Sequence, residues 1–225
     1  MVRVSFLLTA VGCAVSLVSG SPVDNTPRAV EYTRIVPGSA LDKTLAGRAL
    51  SPMQWRGQLE AGRPEVHLKG DTFEDIEKQA KALNPNYSIF APRNATAQAE
   101  ALAARKQALS SRQTQAVHCG WPPNWAAAND WYRVQEGINY LRGITGDCYQ
   151  NPGPGACGRV SCSWQNAIYY CNDNNYGIWE PCRWIGDVAA EIADACTYST
   201  FPGWAVHGQA FDWRNWNTIV AHGSC

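Results

Sequence analysis

The sequence predicts an α+β fold in which an antiparallel β-sheet is covered on one face by two helices. Three observations support this prediction. Two segments after residue 128 carry apolar residues at helical spacing, and each is followed by a pair of alternating, strand-like segments. Eight cysteines lie between Cys119 and Cys225. We therefore expect an α/β sandwich that is stapled by disulfides and preceded by a helical or partly disordered N-terminal extension.

The first 20 residues have the pattern of a secretory signal peptide. Arg3 precedes an apolar run over residues 4–18, which is too short and too early for a lasting membrane span. Cleavage near Gly20–Ser21 removes Cys13 and leaves eight cysteines. An even number of cysteines in an oxidising compartment favours up to four disulfides, so we predict a secreted, extracellular protein.

Composition changes near residue 113. Residues 21–112 hold 13 basic and ten acidic residues and no cysteine, whereas residues 113–225 hold five arginines, no lysine and nine acidic residues. Residues 21–112 are predicted to be either a flexible or weakly helical extension that stays attached, or a propeptide removed at Arg105-Lys106 or after Arg112. A disulfide-rich domain is predicted over 113–225. A domain with this charge lacks the cationic face that nucleic-acid binding requires, so no nucleic-acid partner is expected.

Two helices are predicted in the extension. Asp71 or Thr72 could cap the first, whose apolar positions have helical spacing: Phe73, Ile76, Ala80 and Leu83. The alanine-rich residues 96–109 predict the second. Asn86 and Asn94 each begin an Asn-X-Ser/Thr sequon, so both are candidate glycosylation sites in a secreted chain.

The C-terminal part begins with a helix and a loop. Asn129 or Asp130 could cap a helix that ends at Gly143, and its apolar positions are spaced by three and four residues: Trp131, Val134, Ile138 and Leu141. Residues 147–158 are rich in proline and glycine, which predicts an irregular loop.

Two hairpins and a second helix follow. The alternation over residues 160–171 predicts a hairpin that turns at Gln165-Asn166, and residues 205–222 predict another around 212–215. Pro181 fits the first turn of a helix whose apolar stripe begins and ends with Cys182 and Cys196. Fourteen helical residues span about 21 Å, whereas a disulfide joins Cα atoms within about 7 Å. These two cysteines must therefore bond to other elements.

All eight cysteines of the mature chain are predicted to form disulfides, with the pairing left open: Cys119, Cys148, Cys157, Cys162, Cys171, Cys182, Cys196 and Cys225. Disulfides of about 2–4 kcal/mol each would supplement the modest core of a domain of this size.

The Gly-Arg-Val-Ser-Cys strand at 158–162, the cysteine-ended helix and the closing segment 208–225 resemble a family of small secreted fungal proteins. This family is related to the smut-fungus killer toxin that blocks calcium channels, and it includes effectors of plant-associated fungi. The resemblance covers residues 119–225 and implies an α/β sandwich and a role in virulence. Toxin action in the family is associated with a lysine, for which Arg159, Arg183 and Arg214 are the available basic substitutes.

No catalytic, metal-binding or cofactor motif stands out, so we predict a non-catalytic effector or toxin-like protein. Its expected partner is a host or competitor protein, a channel or a cell-wall glycan, bound by a monomer. Because binding residues concentrate in loops on rigid scaffolds, five loop residues are candidate target contacts: Asn151, Asn174, Tyr176, Trp213 and Arg214.

Two alternative functions are considered. A lectin-like protein would stack sugar rings on exposed tryptophans, for which the loop and strand-end candidates are Trp121, Trp125, Trp179, Trp204, Trp213 and Trp216. Trp213 is the one expected to be exposed. A small secreted ribonuclease would use His207 and His222 as acid and base, together with Arg214 and either Glu180 or Glu191. The carboxylates Asp187, Glu191 and Asp194 are interpreted as the solvated face of a helix.

Overall fold

A computed structural model describes residues 51–90, 114–223 and 225. Within these residues the strands are β1 (Met53–Gly57), β2 (Val66–Gly70), β3 (Thr114–Cys119), β4 (Asp147–Gln150), β5 (Ala156–Ser163), β6 (Asn166–Asn172), β7 (Ile178–Pro181), β8 (Thr197–Ser199), β9 (Trp204–Val206), β10 (Gly208–Asp212) and β11 (Trp216–His222). The helices are α1 (Phe73–Leu83), α2 (Trp131–Arg142) and α3 (Cys182–Cys196). The predicted signal peptide, the predicted helix at 96–109 and the Asn94 sequon lie outside the described residues.

The predicted sheet is the largest of the three sheets formed by the described residues, and the smallest is the β8-β9 pair. It has five antiparallel strands in the order β3-β10-β11-β6-β5. Helices α2 and α3 pack against each other, with α2 on β5 and β6 and α3 on β3, β10 and β11. The α+β fold class and the two helices on one face are confirmed.

The helix caps follow the sequence closely. Thr72 caps α1 by accepting a hydrogen bond from the backbone N of Asp75. Asp130 caps α2 by accepting from the backbone N atoms of Tyr132 and Arg133, and Gly143 follows the last residue of α2. Both predicted caps are confirmed. Short polar side chains are favoured at these positions because they accept hydrogen bonds from first-turn backbone N–H groups that have no partner within the helix.

Four disulfides join the eight cysteines. Cys119 pairs with Cys196 and Cys148 with Cys182, so the two ends of α3 are held by β3 and β4. The other pairs are Cys157–Cys171, across β5 and β6, and Cys162–Cys225, which anchors the C-terminus. The prediction that Cys182 and Cys196 bond to different elements is confirmed.

A second antiparallel sheet contains residues from both predicted regions. Its order is β2-β1-β4-β7, so a strand from the predicted extension pairs directly with β4. Trp55 on β1 is fully buried in a core that continues through α2 and α3 to Val220 on β11. Residues 51–90 and 114–223 thus contribute to one sheet and one core, and the predicted division at residue 113 is not a boundary of the fold.

Polar contacts also join residues 51–90 to residues 114–223. The guanidinium of Arg56 bonds one carboxylate oxygen of Asp147 through two nitrogens, at 3.0 and 2.8 Å. The backbone N of Thr145 donates to the carbonyl of Ile89 at 2.7 Å. No disulfide joins residues 51–90 to residues 114–223, since the sequence has no cysteine between Cys13 and Cys119.

The expectation of an irregular loop over 147–158 is wrong at both ends. Residues 147–150 form β4, between β1 and β7, and residue 156 begins β5. Only residues 151–155 lack regular structure, because both prolines and two of the three glycines of the segment lie in that stretch, and the third, Gly158, is part of β5. Asn86 is exposed in the segment that follows α1, as a glycan acceptor would need to be.

Candidate functional site

Three loops lie together at one end of the five-stranded sheet. Loop 151–155 leads into β5, loop 172–176 leaves β6, and turn 212–215 joins β10 to β11. The register explains their proximity, because Asn172 at the end of β6 pairs with Ala156 on one side and Trp216 on the other. We call these residues the three-loop surface. The structure therefore brings together all three segments that hold the predicted target contacts.

Asn174 joins two of these loops. Its side-chain nitrogen donates to the carbonyl oxygens of Arg214 at 2.9 Å and Asn215 at 3.1 Å, and to the side-chain oxygen of Asn172 at 2.9 Å. Only 8% of Asn174 is exposed. Its prediction as a surface contact is corrected, since its amide is occupied by bonds that hold the turn in place.

Asn172 and Asn151 extend the same network. The side-chain nitrogen of Asn172 donates to the carbonyls of Asn151 at 2.9 Å and Tyr176 at 2.7 Å. The side chain of Asn151 is partly buried and donates to the hydroxyl of Ser51 at 2.8 Å. These bonds fix the loops relative to one another and to residue 51, so the surface is held in one arrangement.

Two aromatic side chains project from this network. Tyr176 is 61% exposed and Trp213 is 54% exposed. The expectation that Trp213 is exposed is confirmed. Both residues belong to loops whose backbone is held by hydrogen bonds. Binding of a partner would therefore cost little conformational entropy for ordering these loops.

Arg214 lies beneath Trp213 in a largely buried ion cluster. Its guanidinium is 2.7 Å from a carboxylate oxygen of Glu180 and 2.9 Å from one of Asp212. It also lies 4.7 Å from the ring centroid of Trp184 and 5.8 Å from that of Trp213. Arg214 was predicted as a target contact, but its charge is already paired and it supports the turn that displays Trp213.

Burial raises the pKa of the Glu180 carboxyl to about 7, and the charge of Arg214 offsets part of that rise. Glu180 therefore changes charge near neutral pH, directly beneath the three-loop surface. Burial also raises the pKa of the nearby Tyr170 hydroxyl, which has no hydrogen-bond partner. The cluster is a low-dielectric environment in which any change of charge is costly.

Only part of the set proposed for ribonuclease chemistry is brought together: Arg214 contacts Glu180, but the two histidines lie apart from this pair. His207 and His222 lie where β10 begins and β11 ends, whereas Arg214 lies on the turn at the opposite end of this hairpin. Five strand residues at about 3.3 Å each separate the two groups by roughly 16 Å. His207 is buried, which lowers the pKa of its imidazole, and His222 is 3.3 Å from the side-chain oxygen of Gln165.

The carboxylates on α3 also differ from expectation. Asp187 is 3% exposed and accepts a hydrogen bond from Arg142 on α2 at 2.7 Å. Glu191 is partly buried and bonded to the hydroxyl of Thr114, and Asp194 is exposed. The interpretation of these three residues as a solvated face holds for Asp194 and is wrong for Asp187, which forms an ion pair between helices.

Trp164 is a prominent exposed residue, although the alternating pattern predicts it at the end of a strand. It is 76% exposed and lies in the turn between β5 and β6, with a φ of 49°, followed by Gln165 at 65°. Two positive φ values define a type I′ turn, which strongly favours Asn-Gly. Non-glycine residues in this conformation cost about 1–3 kcal/mol each. The predicted turn at Gln165-Asn166 is one residue too late, because Trp164 continues the alternation of Val160 and Cys162.

The remaining candidate tryptophans divide by exposure. Trp204 is 54% exposed, like Trp213, whereas Trp121 and Trp216 are buried and Trp125 and Trp179 are partly buried. Of the six candidates, two are therefore placed to stack on a ligand.

In the described part of the chain, no group of three or more histidine, cysteine or acidic residues is arranged to hold a metal ion. Among the same residues, no helix is both long and apolar enough to cross a bilayer. Comparison with known proteins found no matching family model, no matching curated protein and no matching solved structure.

Proposed function

We propose that the protein is a secreted effector or toxin-like protein that binds an extracellular or membrane-exposed target through the three-loop surface, without catalysis. Its four disulfides are consistent with a secreted, cysteine-rich protein. The target classes are a host or competitor protein, a channel, or a cell-wall glycan. The protein would act as a monomer.

The observation that carries the proposal is the display of Tyr176 and Trp213 on interlocked loops. Aromatic side chains contribute much of the binding energy at protein interfaces, and they contribute most when they need no reordering. Asn172 and Asn174 supply this order by bonding the backbone of both loops. The surface therefore combines large exposed rings with a rigid support.

A relationship to the killer-toxin-like family remains part of the proposal. Support comes from the antiparallel sheet with two helices on one face, together with the cysteine-ended helix α3. Channel block through a free positive charge at Arg214 is not supported, because Glu180 and Asp212 neutralise it. A contact through the aromatic side chains is the better-supported mode.

Binding of labelled protein to intact cells and to wall-free protoplasts tests this proposal. Plant and fungal cells should bind the labelled protein saturably. Unlabelled wild-type protein should displace the label, and the double variant Tyr176→Ser/Trp213→Ser should not. Phe201→Ser is the matched control, since Phe201 is a fully exposed aromatic residue outside the three loops. Binding retained on protoplasts indicates a membrane-exposed target, and binding lost with the wall indicates a wall component.

Carbohydrate binding is the second candidate function, favoured by the exposure of Trp213 beside polar loop residues. If the three-loop surface is itself a lectin site, the protein should be retained on chitin, β-glucan or cellulose and released by soluble oligosaccharide, and Trp213→Ala should abolish retention. Neither candidate involves catalysis. Hydrolysis of RNA by the purified protein, lost in His207→Ala or His222→Ala, would replace both with the ribonuclease alternative.

A further inference from the structure

A second candidate site lies at the other end of the five-stranded sheet, around Trp164. A cavity of about 300 Å³ opens beside its indole. The cavity is lined by Asn129, Asp130, Arg133, Trp164 and Asn166. This volume is at the lower end of the range for small-molecule sites. The lining is more polar than that of an ordinary drug-binding pocket, because a single indole is accompanied by four polar or charged residues.

The turn that carries Trp164 is held in place from several sides. The buried side chain of Asn166 donates to the carbonyls of Ser163 at 3.2 Å and Trp164 at 2.8 Å. The backbone N of Gly223 donates to the carbonyl of Gln165 at 3.0 Å. A strained backbone that its surroundings fix so completely, with the large side chain left in solvent, is typical of a functional position.

Arg133 connects the indole to the polar side of the cavity. Its guanidinium carbon lies 5.5 Å from the ring centroid of Trp164. One of its nitrogens bonds both carboxylate oxygens of Glu136, at 3.1 and 2.9 Å, and another lies 3.9 Å from Asp130. Two carboxylates thus compensate one guanidinium, so the site has no excess positive charge for an anionic ligand.

The chemistry of this cavity matches a neutral, hydroxyl-rich ring. An exposed indole offers a flat apolar surface for the C–H face of a pyranose. Asp130 and Asn129 supply oxygen acceptors for hydroxyl groups, and the guanidinium of Arg133 supplies fixed donors. An anion would meet two carboxylates, and a purely apolar ligand would leave the polar groups without partners.

We propose that the Trp164 cavity binds a neutral pyranose unit of an oligosaccharide or polysaccharide, with the indole stacked on the sugar ring. This site is separate from the three-loop surface. The turn at Trp164 is at one end of β5 and β6, and the three loops are at the other end of the same strands. Seven residues of β6 at about 3.3 Å each place the two regions roughly 20 Å apart.

Trp164→Asn is the most informative variant, because asparagine is favoured in left-handed turns. It removes the indole and keeps a backbone conformation that the new residue adopts readily. Trp164→Tyr keeps a flat aromatic ring at the same position. Trp213→Ala removes a similarly exposed indole from the three-loop surface and serves as the matched control.

The test is retention of the purified full chain on insoluble chitin, β-1,3-glucan and cellulose, with calorimetric titration of soluble oligosaccharides of two to six units. We expect retention on at least one polymer, a loss of affinity of about tenfold or more in Trp164→Asn, and partial recovery in Trp164→Tyr. Trp213→Ala should bind as the wild type does.

Two results would overturn this inference. One is unchanged affinity in Trp164→Asn, and the other is failure of the wild type to bind any of these sugars in either assay. Retention that depends on Trp213 and not on Trp164 would assign sugar binding to the three-loop surface, and would therefore also count against the Trp164 site. The cell-binding test with Tyr176→Ser/Trp213→Ser leaves Trp164 unchanged. The proposal for the three-loop surface and the proposal for the Trp164 cavity can therefore fail independently.

Discussion

The guanidinium of Arg214 lies 2.7 Å from a carboxylate oxygen of Glu180, and this pair connects the β10–β11 turn with β7. Glu180 lies in the four-stranded sheet and Arg214 in a turn of the five-stranded sheet, so the pair joins the three-loop surface to the sheet that contains β1. Asp212 on the same turn also contacts the guanidinium at 2.9 Å. The position of Trp213 in solvent thus depends on a charge cluster beneath it.

Arg214→Ala should destabilise the protein. The substitution leaves the carboxylates of Glu180 and Asp212 buried without a counterion, which costs about 3–5 kcal/mol when a fully buried pair is broken. Because 27% of the Arg214 side chain is exposed, we expect a smaller loss of about 2–3 kcal/mol. Urea denaturation at pH 8 measures it. Trp213→Ala is the control and should lose less than about 1 kcal/mol, and equal losses would show that the cluster does not stabilise the turn.

Glu180→Gln should change how stability depends on pH. Burial raises the pKa of this carboxyl from an ordinary value of 4.5 to about 7, so the folded state favours the protonated form. The stability that Glu180 contributes is fully present below pH 4.5 and is lost as pH rises through about 7. The wild type should therefore lose thermal stability relative to the glutamine variant between these pH values. A difference in melting temperature between the two proteins that stays constant from pH 4 to 8 would contradict the raised pKa of Glu180.

Trp55→Ala tests whether residues 51–90 belong to the fold. Trp55 is fully buried between β2 and β4, and its indole nitrogen donates to the carbonyl of Thr145. Loss of a buried tryptophan costs about 3–5 kcal/mol through lost contacts and the cavity left behind. Chemical denaturation, with near-UV circular dichroism to monitor the core, measures the effect. A loss below about 1 kcal/mol would mean that β1 is not part of the cooperative unit.

Cleavage between the two described segments should leave them associated. We would replace residues 106–112 with a site-specific protease sequence, cut the folded protein and apply gel filtration without reductant. The fragments should elute together, because β1 pairs with β4 and Arg56 bonds Asp147. They should separate in denaturant, since no disulfide joins them. Release of the N-terminal fragment under native conditions would instead identify residues 21–112 as a propeptide that leaves after cleavage.

Trp164→Asn should stabilise the protein. Asparagine adopts a positive φ at lower cost than tryptophan, and the exposed indole contributes little burial in return. We expect a gain of about 1 kcal/mol, seen as a higher midpoint of denaturation with an unchanged slope. A loss of stability would show that Trp164 supports the fold, and would weaken the case for a functional role of this turn.

Side-chain periodicity allowed the helices to be predicted well. In α3 the apolar stripe and the helix length together required Cys182 and Cys196 to bond elsewhere, and the pairs with Cys148 and Cys119 agree. Local patterns suffice there, because each helix satisfies its own backbone and buries one stripe. The partner of each cysteine could not be predicted, since it depends on how distant elements pack.

The second sheet could not be predicted in the same way. β1 and β4 are about 90 residues apart in the chain, and short strands such as these have no pattern that identifies a partner. The loop network was also hidden, because the role of Asn174 depends on carbonyl oxygens from a turn 40 residues away. Loop position alone suggested a contact residue, whereas hydrogen bonding makes Asn174 a support for its neighbours.

Competition for binding at the cell surface tests the central proposal most directly. Labelled wild-type protein would be bound to intact cells and displaced with unlabelled wild type, Tyr176→Ser/Trp213→Ser or Phe201→Ser. The account predicts that wild type and Phe201→Ser displace the label at similar concentrations and that the double variant requires at least about tenfold more. Equal displacement by all three proteins would show that the three-loop surface does not bind the target.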